Sequence, residues 1–183
     1  MRPAAILFDL DGTIYQGKTL VSGAEEILVS LEDAQIPYSF ITNTTRMTKK
    51  KIVLMLRGLG LSVSLDIIFA APHAAVSYCK NRGYKKILLV VQDREMEEDF
   101  FEFQLVDYKP EAIVLGDMGS GFTFNLINNL FQHILDGAEL VAMHKNRFWK
   151  SADDYLLDIG AFVSALEYAS GKPASIMGKP NSN

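Results

Sequence analysis

Two rhythms alternate along the chain: short unbroken apolar runs, and longer stretches in which apolar residues recur every three or four positions. The first run, Ala4 to Phe8, predicts a buried strand that ends in a DLDGT turn. Ala24, Ile27, Leu28 and Leu31 then recur at helical spacing, behind Ser22 and Glu25, whose separation is that of a capping box. Tyr38 to Ile41 predicts a second strand, ending in TNTT. Ile52, Val53, Leu56 and Leu59 predict a second helix that stops near Gly58 or Gly60. Strand, helix, strand, helix is the order of a parallel sheet. Loops at the carboxyl ends of such strands form the crevice in which chemistry is done.

From Asp66 the pattern repeats with new lengths. IIFA precedes a helix that opens at Pro72; ILLVV at 87–91, an acidic stretch at 93–102 and AIVLG at 112–116 follow. A helix over about 122–135, the strand ELVAM at 139–143 and a helix near 158–169 complete a second α/β unit. The segment ASIMGKPNSN then supplies a short strand, Gly178, Lys179 and Pro180, with no helix behind it. Neither a repeat of solenoid period nor a low-complexity tract interrupts this order.

Composition narrows the function. With 49% hydrophobic and 22% charged residues the chain is globular, and a net charge of −4 gives no positive field for nucleic acid or an anionic membrane. The basic run Lys49-Lys50-Lys51 falls in the first turn of a predicted helix and reads as a solvated face. Cys79 is the sole cysteine, in a helical pattern with Val76 and Tyr78, so it reads as an inert thiol and no disulfide forms within the chain. No charged leader with an apolar core is visible, and no apolar stretch approaches the roughly 18 residues of a membrane span. A reducing cytoplasm is the expected location.

Candidate chemistry begins at Asp9 and Asp11. Flanking Leu10 in extended chain, their side chains share one face, and Gly12 permits the sharp turn that follows. Crowded carboxylates split their protonation, leaving an acid beside a nucleophile, and a divalent cation relieves the repulsion. A bare DxD is more often a turn, so the downstream matches matter. Thr42 and Asn43 end the second strand, where hydroxyl, amide and backbone N–H groups can cradle phosphate oxygens. Lys179 would be a cation set in a stiff turn at the end of a third strand.

Together these residues resemble the haloacid dehalogenase superfamily of phosphohydrolases, whose DxDGT motif is matched by Asp9, Asp11, Gly12 and Thr13. The order of aspartate pair, Thr42 and then Lys179, with an α/β segment between the last two, resembles subfamily IIA, the 4-nitrophenylphosphatase-like branch. The stretches LEYASGKPASIMGKP and TFNLINNLFQHILDGAELVA are similar to the phospholysine phosphohistidine inorganic pyrophosphate phosphatases. The resemblance implies a Rossmann-like parallel-sheet core over 1–70, an inserted α/β cap over 71–173 and a return strand with the lysine turn over 174–183.

It also implies roles. Asp9 would attack phosphorus and become an aspartyl phosphate, and Asp11 would protonate the leaving oxygen and later activate water. Thr42 would hydrogen-bond the phosphoryl group, with Gly12, Thr13 and Asn43 around it, and Lys179 would offset the negative charge. Mg²⁺ would bind the Asp9 carboxylate and the Asp11 backbone carbonyl. The cap loop His144, Lys145, Asn146 and Arg147 would meet the leaving group of a small phosphorylated substrate. The family's further GDD-like motif has no match in the expected order. Gly116-Asp117 precedes Lys179 and reads as a cap loop, and Asp153, Asp154 and Asp158 are likewise out of order. The chain therefore reads as C-terminally truncated, with weak metal affinity and little turnover. The alternative is a non-catalytic relative that binds a phosphorylated metabolite or acts through its cap. A dehalogenase is the less favoured chemistry, because Asp11 and Thr42 supply what phosphoryl transfer needs. Association through the cap into a homodimer is a further expectation.

Overall fold

The computed structural model describes residues 3–151 and 154–181. The chain divides into two compact units, one of Met1–Thr42 with Met47–Ala70, the other of Asn43–Arg46 with Ala71–Asn183.

In the first unit, β1 (Ile6–Asp9), β2 (Tyr15–Gln16), β3 (Thr19–Leu20), α1 (Ala24–Asp33), β4 (Tyr38–Thr42), α2 (Lys49–Gly58) and β5 (Ile68–Ala70) follow one another. β1, β4 and β5 form a parallel sheet in that order, with Phe8 beside Phe40 and Phe40 beside Ile68. Strand residues alternate faces, so this row lies on one side. There it packs with Leu28 of α1 and with Ile52, Val53 and Leu56 of α2. The other face holds Leu7 and Phe69, which are 66% and 55% exposed. β2 and β3 make a small hairpin beyond the DLDGT turn.

The expected capping box is not formed. α1 starts from Gly23, whose φ of 83° is left-handed, with no side-chain cap. Ser22 lies one position before the cap, out of register with the first free amides. α2 does have its cap: the Thr48 hydroxyl accepts from the Lys51 amide, and Lys49-Lys50-Lys51 fill its first turn.

The second unit carries α3 (Ala71–Arg82), β6 (Lys86–Val90), β7 (Gln104–Leu105), β8 (Ala112–Leu115), α4 (Phe124–Leu135), β9 (Glu139–Ala142), β10 (Phe148–Ser151), β11 (Asp154–Leu157), α5 (Ile159–Ser170) and β12 (Ser175–Ile176). Its sheet has the order β12-β9-β8-β6-β7, and every pairing is parallel. β8 is buried throughout because both its faces are covered. Ala112 and Val114 face a layer with Ala75 and Cys79 of α3 and with Met96 and Phe100 of the 3-10 turn after β6. Ile113 and Leu115 face Leu130 and Ile134 of α4 and Val163 and Leu166 of α5. Cys79 is fully buried, and burial pushes its thiol up to about 12. β12, at the head of the 174–183 segment, aligns Ser175 with Val141 and Ile176 with Ala142 of β9.

Candidate active site

Asp9 closes β1 and Asp11 opens the turn after it; both are exposed, while Leu10 between them is fully buried and anchors the segment. The Leu10 amide donates to Asp9 Oδ1 at 2.8 Å and so limits rotation of that carboxylate. Gly12 has φ of 76°, and its amide donates to the Tyr15 carbonyl at 2.7 Å. That left-handed turn lifts Asp11 and Thr13 to the surface; a side chain at Gly12 would strain it. Burial together with the charges of Asp11 and Asp9 raises the Tyr15 phenol above its ordinary value. Tyr15 thus senses both carboxylates. Thr42, the last residue of β4, is buried.

Asp9 and Asp11 are hard-oxygen donors open to solvent. They fit Mg²⁺, which takes one or two carboxylates and keeps waters or substrate phosphate as its other ligands. No group of three His, Cys, Asp or Glu side chains among the described residues forms a fuller cage.

A second polar group lies in the other unit, around Asn43–Arg46. The Asn43 amide addresses Lys179 as a strand partner would: Oδ1 accepts from its N–H at 2.8 Å and Nδ2 donates to its carbonyl at 2.9 Å. Asn43 Nδ2 also reaches Asn146 Oδ1 at 3.3 Å. A Cβ on Gly178 would sit 2.5 Å from Asn43 Oδ1 and 2.6 Å from the Met143 carbonyl, so the close approach needs glycine. Asn43 therefore holds the lysine turn with the amide that was expected to cradle phosphate.

The four cap-loop residues have different surroundings. His144 is buried, its Nδ1 accepting from the Asn146 amide at 3.3 Å and its Nε2 lying 3.9 Å from Asp158. Burial lowers its pKa, against the opposing pull of Asp158 and Asp117. Lys145 pairs with Glu167 of α5, Asn146 meets Asn43, and Arg147 is exposed. Asp158 caps α5 through the Ile159 amide at 2.8 Å. Asp154 is exposed in β11, and Asp153 lies outside the described residues.

Three residues here were not anticipated as a group. Arg46 Nε donates to Asp117 Oδ2 at 2.6 Å; Asp117 Oδ1 accepts from the Gly119 amide at 2.7 Å; and the Asp117 amide donates to the Thr45 hydroxyl at 3.0 Å. The Arg46 guanidinium also stands 5.2 Å over the Trp149 ring. The only local signal was a lone arginine after TNTT; its carboxylate partner is 71 residues away.

Comparison with known proteins supplies the family. Residues 6–105 match the model of the haloacid dehalogenase-like hydrolases. The chain is 39% identical over 176 residues to the human haloacid dehalogenase-like hydrolase domain-containing protein 2, covering 96% of this chain and 66% of that protein. It is 30% identical over 182 residues to the human phospholysine phosphohistidine inorganic pyrophosphate phosphatase, at the same coverage. The chain thus spans 66% of the length of these curated relatives. Among solved structures, a 4-nitrophenylphosphatase from Thermotoga maritima aligns with a TM-score of 0.88 at 24% identity, covering 97% of this chain and 69% of that one. A glycerol phosphate phosphatase from Mycobacterium tuberculosis, in complex with magnesium, aligns with a TM-score of 0.84 at 22% identity, covering 97% and 55%. The structural likenesses speak for the shared α/β fold, and the sequence matches for descent: the chain belongs to the haloacid dehalogenase-like hydrolase family.

Proposed function

We propose that the chain is a Mg²⁺-dependent phosphatase that hydrolyses a small phosphorylated substrate through an aspartyl phosphate on Asp9, with turnover impaired because among the described residues the metal has only the Asp9 and Asp11 donors. The observation that carries this is the pair Asp9 and Asp11, held exposed at the carboxyl end of a parallel strand by buried Leu10 and the Gly12 turn. An Asp9 carboxylate oxygen forms a bond to phosphorus as the bond from phosphorus to the leaving oxygen breaks, and protonated Asp11 gives its proton to that oxygen. Asp11, now ionised, takes a proton from water; the hydroxyl bonds to phosphorus, and the bond to Asp9 breaks, restoring both carboxyls. Thr42, at the end of the neighbouring strand, donates its hydroxyl to a phosphoryl oxygen, and Gly12, Thr13 and Asn43 shape the surroundings. Lys179 supplies positive charge, a role resting on its place in the motif order. Bound Mg²⁺, held by Asp9 and Asp11, would neutralise charge on the phosphoryl oxygens. Of the cap loop, Arg147 is the exposed cation for a leaving group, with Asn146 beside it and buried His144 and paired Lys145 shaping the loop.

Hydrolysis of 4-nitrophenyl phosphate with Mg²⁺ tests the reading. Turnover should fall by about 10³-fold or more in Asp9→Asn, as expected for loss of a nucleophile, with the melting temperature unchanged. The two-carboxylate donor set favours one competing reading, a relative that binds a phosphorylated metabolite without turning it over. Beryllium fluoride with Mg²⁺ separates the two: it should protect Asp9 in an enzyme and leave a non-catalytic chain unaffected.

The same reading places the chain in the cytoplasm, supported by the buried, lone Cys79. Self-association through the second unit is supported by exposed Phe148, Tyr155 and Leu157 on its β10–β11 hairpin. No described helix is long and apolar enough to cross a membrane.

A further inference from the structure

At the amino ends of the first unit's strands, a cavity of about 590 Å³ opens between α1, β4 and the segment after α2. Its size falls within the range of small-molecule pockets, about 300–1,000 Å³. Ile36, Pro37, Val63 and Ile67 supply apolar walls, and Tyr38, the first residue of β4, lies among them. Asp9 stands at the opposite end of the same sheet, in register with Ile41. At strand spacing Tyr38 and Ile41 are about 10 Å apart.

Opposite charges line this cavity without meeting. Arg57 Nε donates to the Val63 carbonyl at 2.9 Å, and Glu32 Oε1 accepts from the Tyr38 hydroxyl at 2.7 Å. Each side chain is thereby held by a neutral partner, and among the described residues neither enters an ion pair. The terminal amino groups of Arg57 and Oε2 of Glu32 have no hydrogen bond to a described residue. Held apart in this way, they present a donor fork and an acceptor to a molecule that carries both charges. Gln35 lines the same cavity with φ of 51°, a conformation that glycine adopts at lower cost. A side chain kept at such a position is explained by what its amide can bind.

We propose that this cavity is a second ligand site, away from the aspartate pair, and that its ligand is a zwitterion with an apolar body. That chemistry is shared by free amino acids and short peptides: the carboxylate meets Arg57, the ammonium meets Glu32, the apolar side chain lies on Ile36 and Ile67, and the Gln35 amide adds a hydrogen bond. The site lies wholly within the first unit and does not depend on the hydrolase reading.

Titration of the full chain with L-phenylalanine and with the dipeptide leucylleucine, followed by assigned NMR amide shifts, tests this. The shifts should centre on Tyr38 and Arg57 and spare Asp9. Hydrocinnamate, which lacks the ammonium, and phenethylamine, which lacks the carboxylate, should each bind about 10-fold more weakly than L-phenylalanine, as loss of one hydrogen-bonded charge gives. Glu32→Gln should abolish the advantage over hydrocinnamate, and Arg57→Gln the advantage over phenethylamine. Arg57→Lys, a point charge without the fork, should lose most of the same advantage and serves if the glutamine variant does not fold. Gln35→Gly should weaken binding by about 3-fold while the melting temperature holds or rises. Whichever of the amino acid and the dipeptide binds more tightly identifies the source of the zwitterion. Absence of binding by both at about 10 mM, shifts centred on Asp9, or equal affinities for L-phenylalanine, hydrocinnamate and phenethylamine in the wild type would overturn the proposal.

Discussion

In the first sheet, Leu7 and Phe69 stand largely exposed on one face, whereas in the second Ile113, Val114 and Leu115 are buried on alternate faces of a single strand. Both sheets are parallel, and both strands read as apolar runs. The difference lies in what packs against them. β8 has α3 with the 3-10 turn on one side and α4 with α5 on the other; the row of Phe8, Phe40 and Ile68 has α1 and α2. Hydropathy marks a strand, but helices on its faces decide how much each residue contributes to stability.

The sharpest way to break this comparison is to truncate one residue in each sheet. Leu115→Ala should cost about 2–5 kcal/mol, from lost transfer energy and a cavity that a covered sheet cannot close. Leu7→Ala should change stability by less than about 0.5 kcal/mol, as surface substitutions do. Urea unfolding measures both, and equal losses would show that the first sheet's open face is packed in solution.

A second test probes how tightly the covered unit is built. A Cβ on Gly160 would fall 2.3 Å from the Asn146 carbonyl oxygen, so Gly160→Ala should destabilise by about 1–3 kcal/mol through forced backbone shifts. Gly23→Ala in the first unit meets open space and strains only its left-handed turn, so its loss should be the smaller.

A third test concerns pH. Burial holds the folded His144 pKa below its unfolded value of 6.5, so the unfolded chain binds more protons between the two values. The stability tied to neutral His144 is complete above pH 6.5 and is lost as the pH falls through the folded pKa. Thermal melts from pH 7.5 to 5 should fall more steeply for the wild type than for His144→Gln; parallel slopes would remove His144 from the account. The smallest effect belongs to the Lys80–Glu102 pair at the surface, where Glu102→Gln should shift stability by under about 0.5 kcal/mol.

Two of the strands that the sequence foretold share one property. AIVL at 112–115 and ELVA at 139–142 are covered strands, so nearly every residue is apolar and the run stands out. The β10–β11 hairpin was not foreseen, because FWKS and DYLL mix charged and apolar residues on a ribbon where Phe148, Tyr155 and Leu157 are exposed. Ser22 and Glu25 had the spacing of a capping box, but local spacing does not register Gly23 turning left-handed. The turn through Asp9, Asp11, Gly12 and Thr13 was legible because its geometry is local. Arg46, Thr45 and Asp117 were not, since each has its meaning only through a partner remote in sequence.

That remoteness has a consequence for synthesis. Asn43 leaves the ribosome early, yet the backbone groups it clasps at Lys179 lie 136 residues behind it, and the Arg46 partner lies 71 behind. A nascent chain can pair β1 with β4 long before this loop has any of its distant contacts, because neighbouring segments close at lower entropic cost. The loop between β4 and α2 is therefore among the last parts of the molecule to acquire its native contacts, and a ribosome paused before residue 179 would hold the aspartate pair while Asn43 still waited for the lysine turn.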